Sequence, residues 1–290
     1  MTNKSTSSSS RVRWWLLALA VLSIPAAFAK QKRELPDRAP YSDVPKRPED
    51  SAKRLVKAIV ADQKQIWTSP FRMRRQNVKW WVIFSATIGV LLATDRRGAH
   101  QLPNTNDQLR VSRHVSQLGA VYSLAPIAGG LYWGGVLSGQ PKLRETGFLG
   151  VEALVDCLIV SEVLKTSTGR QRPQQGDEGG HFFHGGDGFP SGHTIESFAL
   201  ASVIAHQYRE KKAVVVLAYG LAAAIGASRF TGREHFASDV VAGGAMGWFI
   251  GRCVSGKQRG DGRSPAKTWL MTDVAPQIRP ADHSYGLLLA

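Results

Sequence analysis

The sequence has very little cysteine. Cys157 and Cys253 are its only two, and neither belongs to a C-x-x-C pair, which leaves a zinc framework without ligands. Both fall in apolar stretches, where a thiol serves as a small buried hydrophobe; a single disulfide between them is the alternative. Acidic residues are also short, with 22 Asp and Glu against 37 Lys and Arg and a formal net charge of +15. A basic chain suits an anionic partner: nucleic acid, anionic lipid headgroups or a phosphate-bearing substrate. No nucleic-acid motif of the usual kinds is present, so nucleic acid is not expected. Apolar runs of spanning length are scarce. A bilayer span takes about 20 residues, only 115–141 meets this comfortably, and the mean hydropathy is −0.16. Sustained two-residue alternation is missing from the apolar region, which excludes a sheet-built core.

What is present falls into four parts. Residues 1–29 read as a signal peptide or N-terminal anchor: Arg11 and Arg13, an apolar stretch, then Ala27-Phe28-Ala29 as a cleavage pattern. Either way the chain is sent to the cell envelope, as an exported, periplasmic or membrane-associated protein. Residues 30–75 are a basic, Pro-rich arm followed by an amphipathic helix over 51–67, with Leu55, Val56, Ile59, Val60 and Ile66 at helical spacing. That helix lies on an anionic membrane surface or packs on the main bundle. Residues 76–256 read as an all-α bundle of about six core helices. Uncharged runs cover 80–94, 115–141, 213–228 and 240–251, and mixed helices cover 147–164 and 193–208. Small residues are dense in them, which permits close helix approach. Residues 257–290 form a tail, whose apolar end makes a short hairpin or stays loose.

Charge placement leaves the membrane question open. Lys142 and Arg144, then Arg209, Lys211 and Lys212, and the basic tail fall on one side of six spans. A cleaved signal would put them on the wrong side. The reading favours a water-soluble or surface-bound bundle, with spans and a non-standard N-terminus as the alternative.

Three clusters carry chemistry. In the first, Lys165 and Arg172 are seven residues apart and share a face if the helix continues, with Gly169 loosening it and Pro173 closing it. Two cations on one face clamp phosphate oxygens, though a solvated helix end explains them equally. The second is Pro190-Ser191-Gly192-His193, ahead of an apolar helix. Ser191 is a natural N-cap, the helix start presents N–H groups to an anion, and His193 stands ready to donate a proton. In the third, Arg229 adds a cation, and His235 and Asp239 are four apart, so a carboxylate can fix the imidazole tautomer.

Together, K-x₆-R-P, P-S-G-H and S-R-x₅-H-x₃-D resemble the signature of the type 2 phosphatidic acid phosphatase and vanadium haloperoxidase superfamily. The resemblance covers about 80–255, with its specific part in 165–239. It implies a phosphate site at one end of the bundle, with Lys165, Arg172 and Arg229 on the phosphoryl oxygens and Ser191 and Gly192 adding hydrogen bonds. It also implies His235 as nucleophile, Asp239 orienting it, and His193 protonating the leaving oxygen. Three cations take the place of metal ions, so neither metal nor cofactor is implied. The expected activity is metal-independent hydrolysis of a phosphate monoester through a phosphohistidine. A lipid phosphate such as phosphatidic acid is the favoured substrate, and isoprenyl or phosphatidylglycerol phosphates also fit. A vanadate-dependent haloperoxidase and a non-catalytic anionic-lipid-binding envelope protein are the alternatives. The Gly-rich loop 174–188 is read as a mobile cover of the pocket, with a metal site at Asp177, Glu178, His181, His184 and Asp187 as the lesser possibility. Arg170 and Arg233 are read as adding positive potential without touching phosphate.

Overall fold

A computed structural model describes residues 48–72, 78–102, 104–175, 179–256, 275–279 and 284–288. The targeting segment, the Pro-rich arm, the basic stretch 257–274 and the pair Asp177–Glu178 lie outside the described residues. Eight α-helices occur among those residues: α1 Pro48–Thr68, α2 Val78–Gln101, α3 Asn106–Gln117, α4 Val121–Leu137, α5 Pro141–Thr168, α6 Gly192–Gln207, α7 Lys212–Thr231 and α8 Ala237–Gly256. The architecture is an all-α bundle. After it comes an antiparallel hairpin, β1 Ala275–Arg279 with β2 Ser284–Leu288.

Helix α6 is the axis of the bundle and packs on α4, α5, α7 and α8. Ile195, Ala199 and Val203 of α6 are sealed against Phe148, Leu149, Ala153, Cys157 and Val160 of α5 and Ile250 and Val254 of α8. Burying one such aliphatic side chain contributes about 1.5–3 kcal/mol. A second cluster joins Leu124 and Ala128 of α4 to Leu154 and Leu200. Small residues set the helix spacing, as the dense Gly and Ala pattern predicts. A Cβ on Gly247 would stand 2.1 Å from the Ile195 carbonyl, so α8 reaches α6 only with glycine there. Cys157 and Cys253 are both buried and free, in keeping with small core hydrophobes and not with a disulfide.

One segment differs from its sequence expectation, and another takes one of the two places expected of it. The apolar run 115–141 is not one helix. It breaks at Leu118–Ala120, where Ala120 turns to extended backbone and Gly119 passes so close to Ile225 that a Cβ would lie 2.3 Å from its methyl. Helix α1 packs on the bundle: Arg54 bonds the buried Glu145 at 2.8 Å, Gln63 bonds Asp156 at 2.9 Å, and Ile66 enters the core.

Two stretches, Asn106–Leu137 and Lys212–Thr231, are long and apolar enough to cross a membrane. Their outward residues include Tyr122, Trp133 and Leu137 on α4 and Val216, Leu217 and Leu221 on α7, all exposed. This apolar exterior is more than sequence hydropathy alone conveys, because the average is diluted by charged loops and by the arm.

Candidate active site

The three clusters meet at the α6 N-terminus. Helix α5 delivers Lys165 and then stops at Thr168, because Gly169 takes a left-handed conformation (φ 50°) and its N–H closes on the Lys165 carbonyl at 2.8 Å. Arg172 therefore does not share a helical face with Lys165, as uninterrupted spacing implied. It lies on the loop beyond, where Asp187 takes Nε at 2.8 Å and Nη2 at 2.7 Å, and Glu234 takes Nη1 at 3.0 Å.

Ser191 caps α6 by backbone conformation, but its hydroxyl makes no cap bond and instead accepts from Thr194 Oγ1 at 2.9 Å. Gly192 opens the helix, leaving first-turn N–H groups without intrahelical partners. Lys165 Nζ lies 3.4 Å from the point where a Gly192 Cβ would stand, with Ser161 Oγ at 3.8 Å and Glu196 Oε1 at 3.9 Å from it. Lys165 and the helix start thus lie side by side. His193 passes against Gly119, whose would-be Cβ is 3.4 Å from the His193 Cβ.

Arg229, in the last turn of α7, is buried and donates to Ser116 Oγ of α3 at 2.6 Å, while its Nε has no partner. Its Nη2 stands 3.6 Å from Glu234. His235 precedes α8 rather than sitting on it. Its Nδ1 donates to the Gly188 carbonyl at 2.7 Å; a carbonyl can only accept, so Nδ1 carries the proton and Nε2 keeps its lone pair. Asp239 is 3.9 Å from Nδ1, too far for a hydrogen bond. Its carboxylate accepts from the Phe236 N–H at 2.9 Å, and its own carbonyl accepts from the Ser191 N–H at 3.2 Å. The direct holder of the imidazole is therefore the Gly188 carbonyl, a main-chain group that no side-chain pattern announces.

Burial, then the charges of Arg229, His235, Lys165 and Arg172, pushes His193 down to about 3. Burial likewise lowers His235, with Asp239 opposing. Glu196, buried beside Lys165, is raised to about 7 by burial, which the Lys165 charge only partly counters. Lys165, Arg172 and Arg229 thus all bear on the His193 imidazole, a setting that favours an anion beside it.

Arg170 holds a position the sequence reading missed. It is 2% exposed. Its Nη2 donates to Asp95 of α2 at 2.8 Å, Nη1 to Ser238 at 2.6 Å and also to Asp239, and Nε to the Gly180 carbonyl at 3.1 Å. The rings of Phe182 and Phe236 pack on the guanidinium. Asp95 further accepts from the Ser238 N–H at 3.1 Å. Far from adding loose positive potential, Arg170 ties α2, the Gly-rich loop and α8 together behind the histidine. Glu196, Glu234 and Ser116 were missed as well. His181 and His184 lie on the Gly-rich loop with ring centroids 5.5 Å apart.

Comparison with known proteins places these motifs. The PAP2 superfamily matches residues 146–259. The Lipid A 1-phosphatase of Porphyromonas gingivalis is 30% identical over 128 residues, covering 40% of this chain and 27% of that protein; the chain spans about a quarter of that relative's length. Among solved structures, a transmembrane PAP2-type phosphatidylglycerolphosphate phosphatase from Bacillus subtilis is 21% identical. It covers 65% of this chain and 98% of its own, with a TM-score of 0.49.

Proposed function

We propose that this chain, a member of the PAP2 superfamily through residues 146–259, is a metal-independent phosphatase. It hydrolyses a phosphate monoester, with a lipid phosphate such as phosphatidic acid as the favoured substrate. The observation that carries the reading is that Lys165 lies beside Gly192 at the α6 start, while Arg172 and Arg229 meet one Glu234 oxygen at 3.0 and 3.6 Å. Fixed positive charge is the main lever in phosphoryl transfer, where the protein has little covalent chemistry to do beyond positioning.

The steps we read into this site are these. Lys165, Arg172 and Arg229 hold the phosphoryl oxygens, joined by the Ser191 hydroxyl and the Gly192 N–H. His235, with its proton fixed on Nδ1, attacks phosphorus through Nε2. A P–N bond forms, the ester P–O bond breaks, and the leaving oxygen takes a proton from His193. The bound phosphoryl group supplies the negative charge that lets His193 hold this proton despite its burial and the cations around it. Water then attacks phosphorus and gives its proton to His193, the P–N bond breaks, and inorganic phosphate departs. Asp239 is a positioning residue: it fixes the Phe236 and Ser191 backbone on either side of the two histidines.

The lipid preference is supported by the exposed apolar faces of α4 and α7 and by the name of the curated relative. These faces also support a membrane-associated enzyme of the cell envelope. The test is phosphate release in EDTA from short-chain phosphatidic acid and from a small aryl phosphate. Release that survives EDTA and drops at least about 10³-fold in His235→Ala supports the mechanism. Equal activity in the variant sinks it.

A further inference from the structure

Glu234 occupies a peculiar place. Its Oε2 is 3.0 Å from Arg172 Nη1 and 3.6 Å from Arg229 Nη2, so one carboxylate oxygen sits between two cations read as phosphate ligands. A phosphoryl oxygen held by both arginines would stand in the same place. The contact with Arg172 is a hydrogen bond, whereas the one with Arg229 is only an ion pair at long range. Arg229 keeps a buried Nε without a partner, so the carboxylate leaves part of its valence unused. Arg233, at φ 58°, turns the chain so that Glu234 follows directly on the α7 end. The Glu234 side chain is 46% exposed and so has open solvent to move into. Asp187, by contrast, grips Arg172 through two parallel bonds on the guanidinium's other edge.

We propose that Glu234 is an internal placeholder for the phosphate. It fills the oxygen position between Arg172 and Arg229 in the free protein and moves out to solvent when the phosphoryl group enters. Asp187 remains and keeps Arg172 aimed. The device makes the site a poor binder of free inorganic phosphate, which must displace a carboxylate without help from the rest of a substrate. A phosphate ester brings additional contacts and overcomes the competition. The product is therefore released readily, and the resting site is not filled by ambient phosphate. This rests on the reading of the cluster as a phosphate site.

The experiment is titration of the full chain with inorganic phosphate, followed by calorimetry. Glu234→Gln and Glu234→Ala are each expected to tighten binding about 3- to 30-fold, because one charge-assisted competitor is gone. In an Arg172→Ala background the gain should shrink to less than half its logarithm, since the contact being relieved is absent. Melting midpoints of the variants check that they fold. If wild type binds phosphate and both variants bind no tighter, the placeholder is overturned while the phosphate site stands. A gain that persists undiminished without Arg172 overturns it too, since bulk charge then explains the effect. If no form binds at millimolar phosphate, the placeholder falls together with the reading on which it rests.

Discussion

Arg170 and Arg172 stand two residues apart and carry the same side chain, yet their surroundings give them opposite work. Arg170 is enclosed by Asp95, Asp239, Ser238, the Gly180 carbonyl and two aromatic rings. No edge of it is left for a ligand, and it serves as a tie between helices. Arg172 keeps 26% of its side chain exposed and rests on two half-exposed carboxylates, Asp187 through two bonds and Glu234 through one. A guanidinium sealed among buried carboxylates and rings is architecture; one at the surface, held partly by a single-bonded carboxylate, is open to an incoming anion.

The largest effects come from pulling the two apart. Arg170→Ala leaves Asp95 and Asp239 buried without their counter-charge and is expected to lower stability by about 3–5 kcal/mol. A denaturant midpoint that falls with unchanged slope is the readout. Arg172→Ala should stay within about 1 kcal/mol of wild type in stability while phosphate release drops about 10²- to 10³-fold. A stable Arg170→Ala protein, or an active Arg172→Ala enzyme, would collapse the distinction.

A smaller effect separates packing from charge as the source of the site's shape. Gly247→Ala forces a Cβ onto the Ile195 carbonyl, so α8 must retreat from α6 at a cost of about 1–3 kcal/mol. Because Asp239 rides on α8, activity should fall along with the melting midpoint.

Acidity gives a finer probe of the mouth. His193, lowered to about 3, and His235, also lowered, bind fewer protons folded than unfolded below the ordinary histidine value of 6.5. Their contribution to stability is complete above pH 6.5 and is lost as pH falls through their lowered values, about 3 for His193. Glu196 works in the other direction. Raised from 4.5 to about 7, it binds its proton more tightly in the fold, so its contribution is present below 4.5 and is lost as pH rises through about 7. Glu196→Gln removes the opposing contribution. Its melting midpoint should therefore fall more steeply from pH 7 to 5 than that of wild type, and parallel curves would remove Glu196 from the account. The least effect belongs to the periphery: Lys142→Ala breaks a 2.5 Å pair with the half-exposed Glu210 and should cost at most about 1 kcal/mol.

Much of this was legible in the sequence because it is local. The bundle follows from the long uncharged runs and the missing two-residue alternation, and α6 begins where the Ser191-Gly192 pair says it should. The break at Leu118–Ala120 was not legible, since it depends on Ile225 pressing on Gly119 from another helix. Asp95 and Ser116 escaped for the same reason: they lie far in sequence from the residues they hold. Arg170 was seen but misassigned, as charge alone does not reveal which of two neighbouring arginines points inward. Glu234 was passed over because a carboxylate among cations read as phosphate ligands runs against the simplest expectation.

The bond from His235 Nδ1 to the Gly188 carbonyl has a genetic consequence. The acceptor belongs to the main chain, so no codon change at position 188 deletes it while the loop keeps its path. Drift can alter the acidity, burial or neighbours of the imidazole one substitution at a time. It cannot so easily change which nitrogen keeps its lone pair, because that choice is inherited with the loop's path rather than with a side chain.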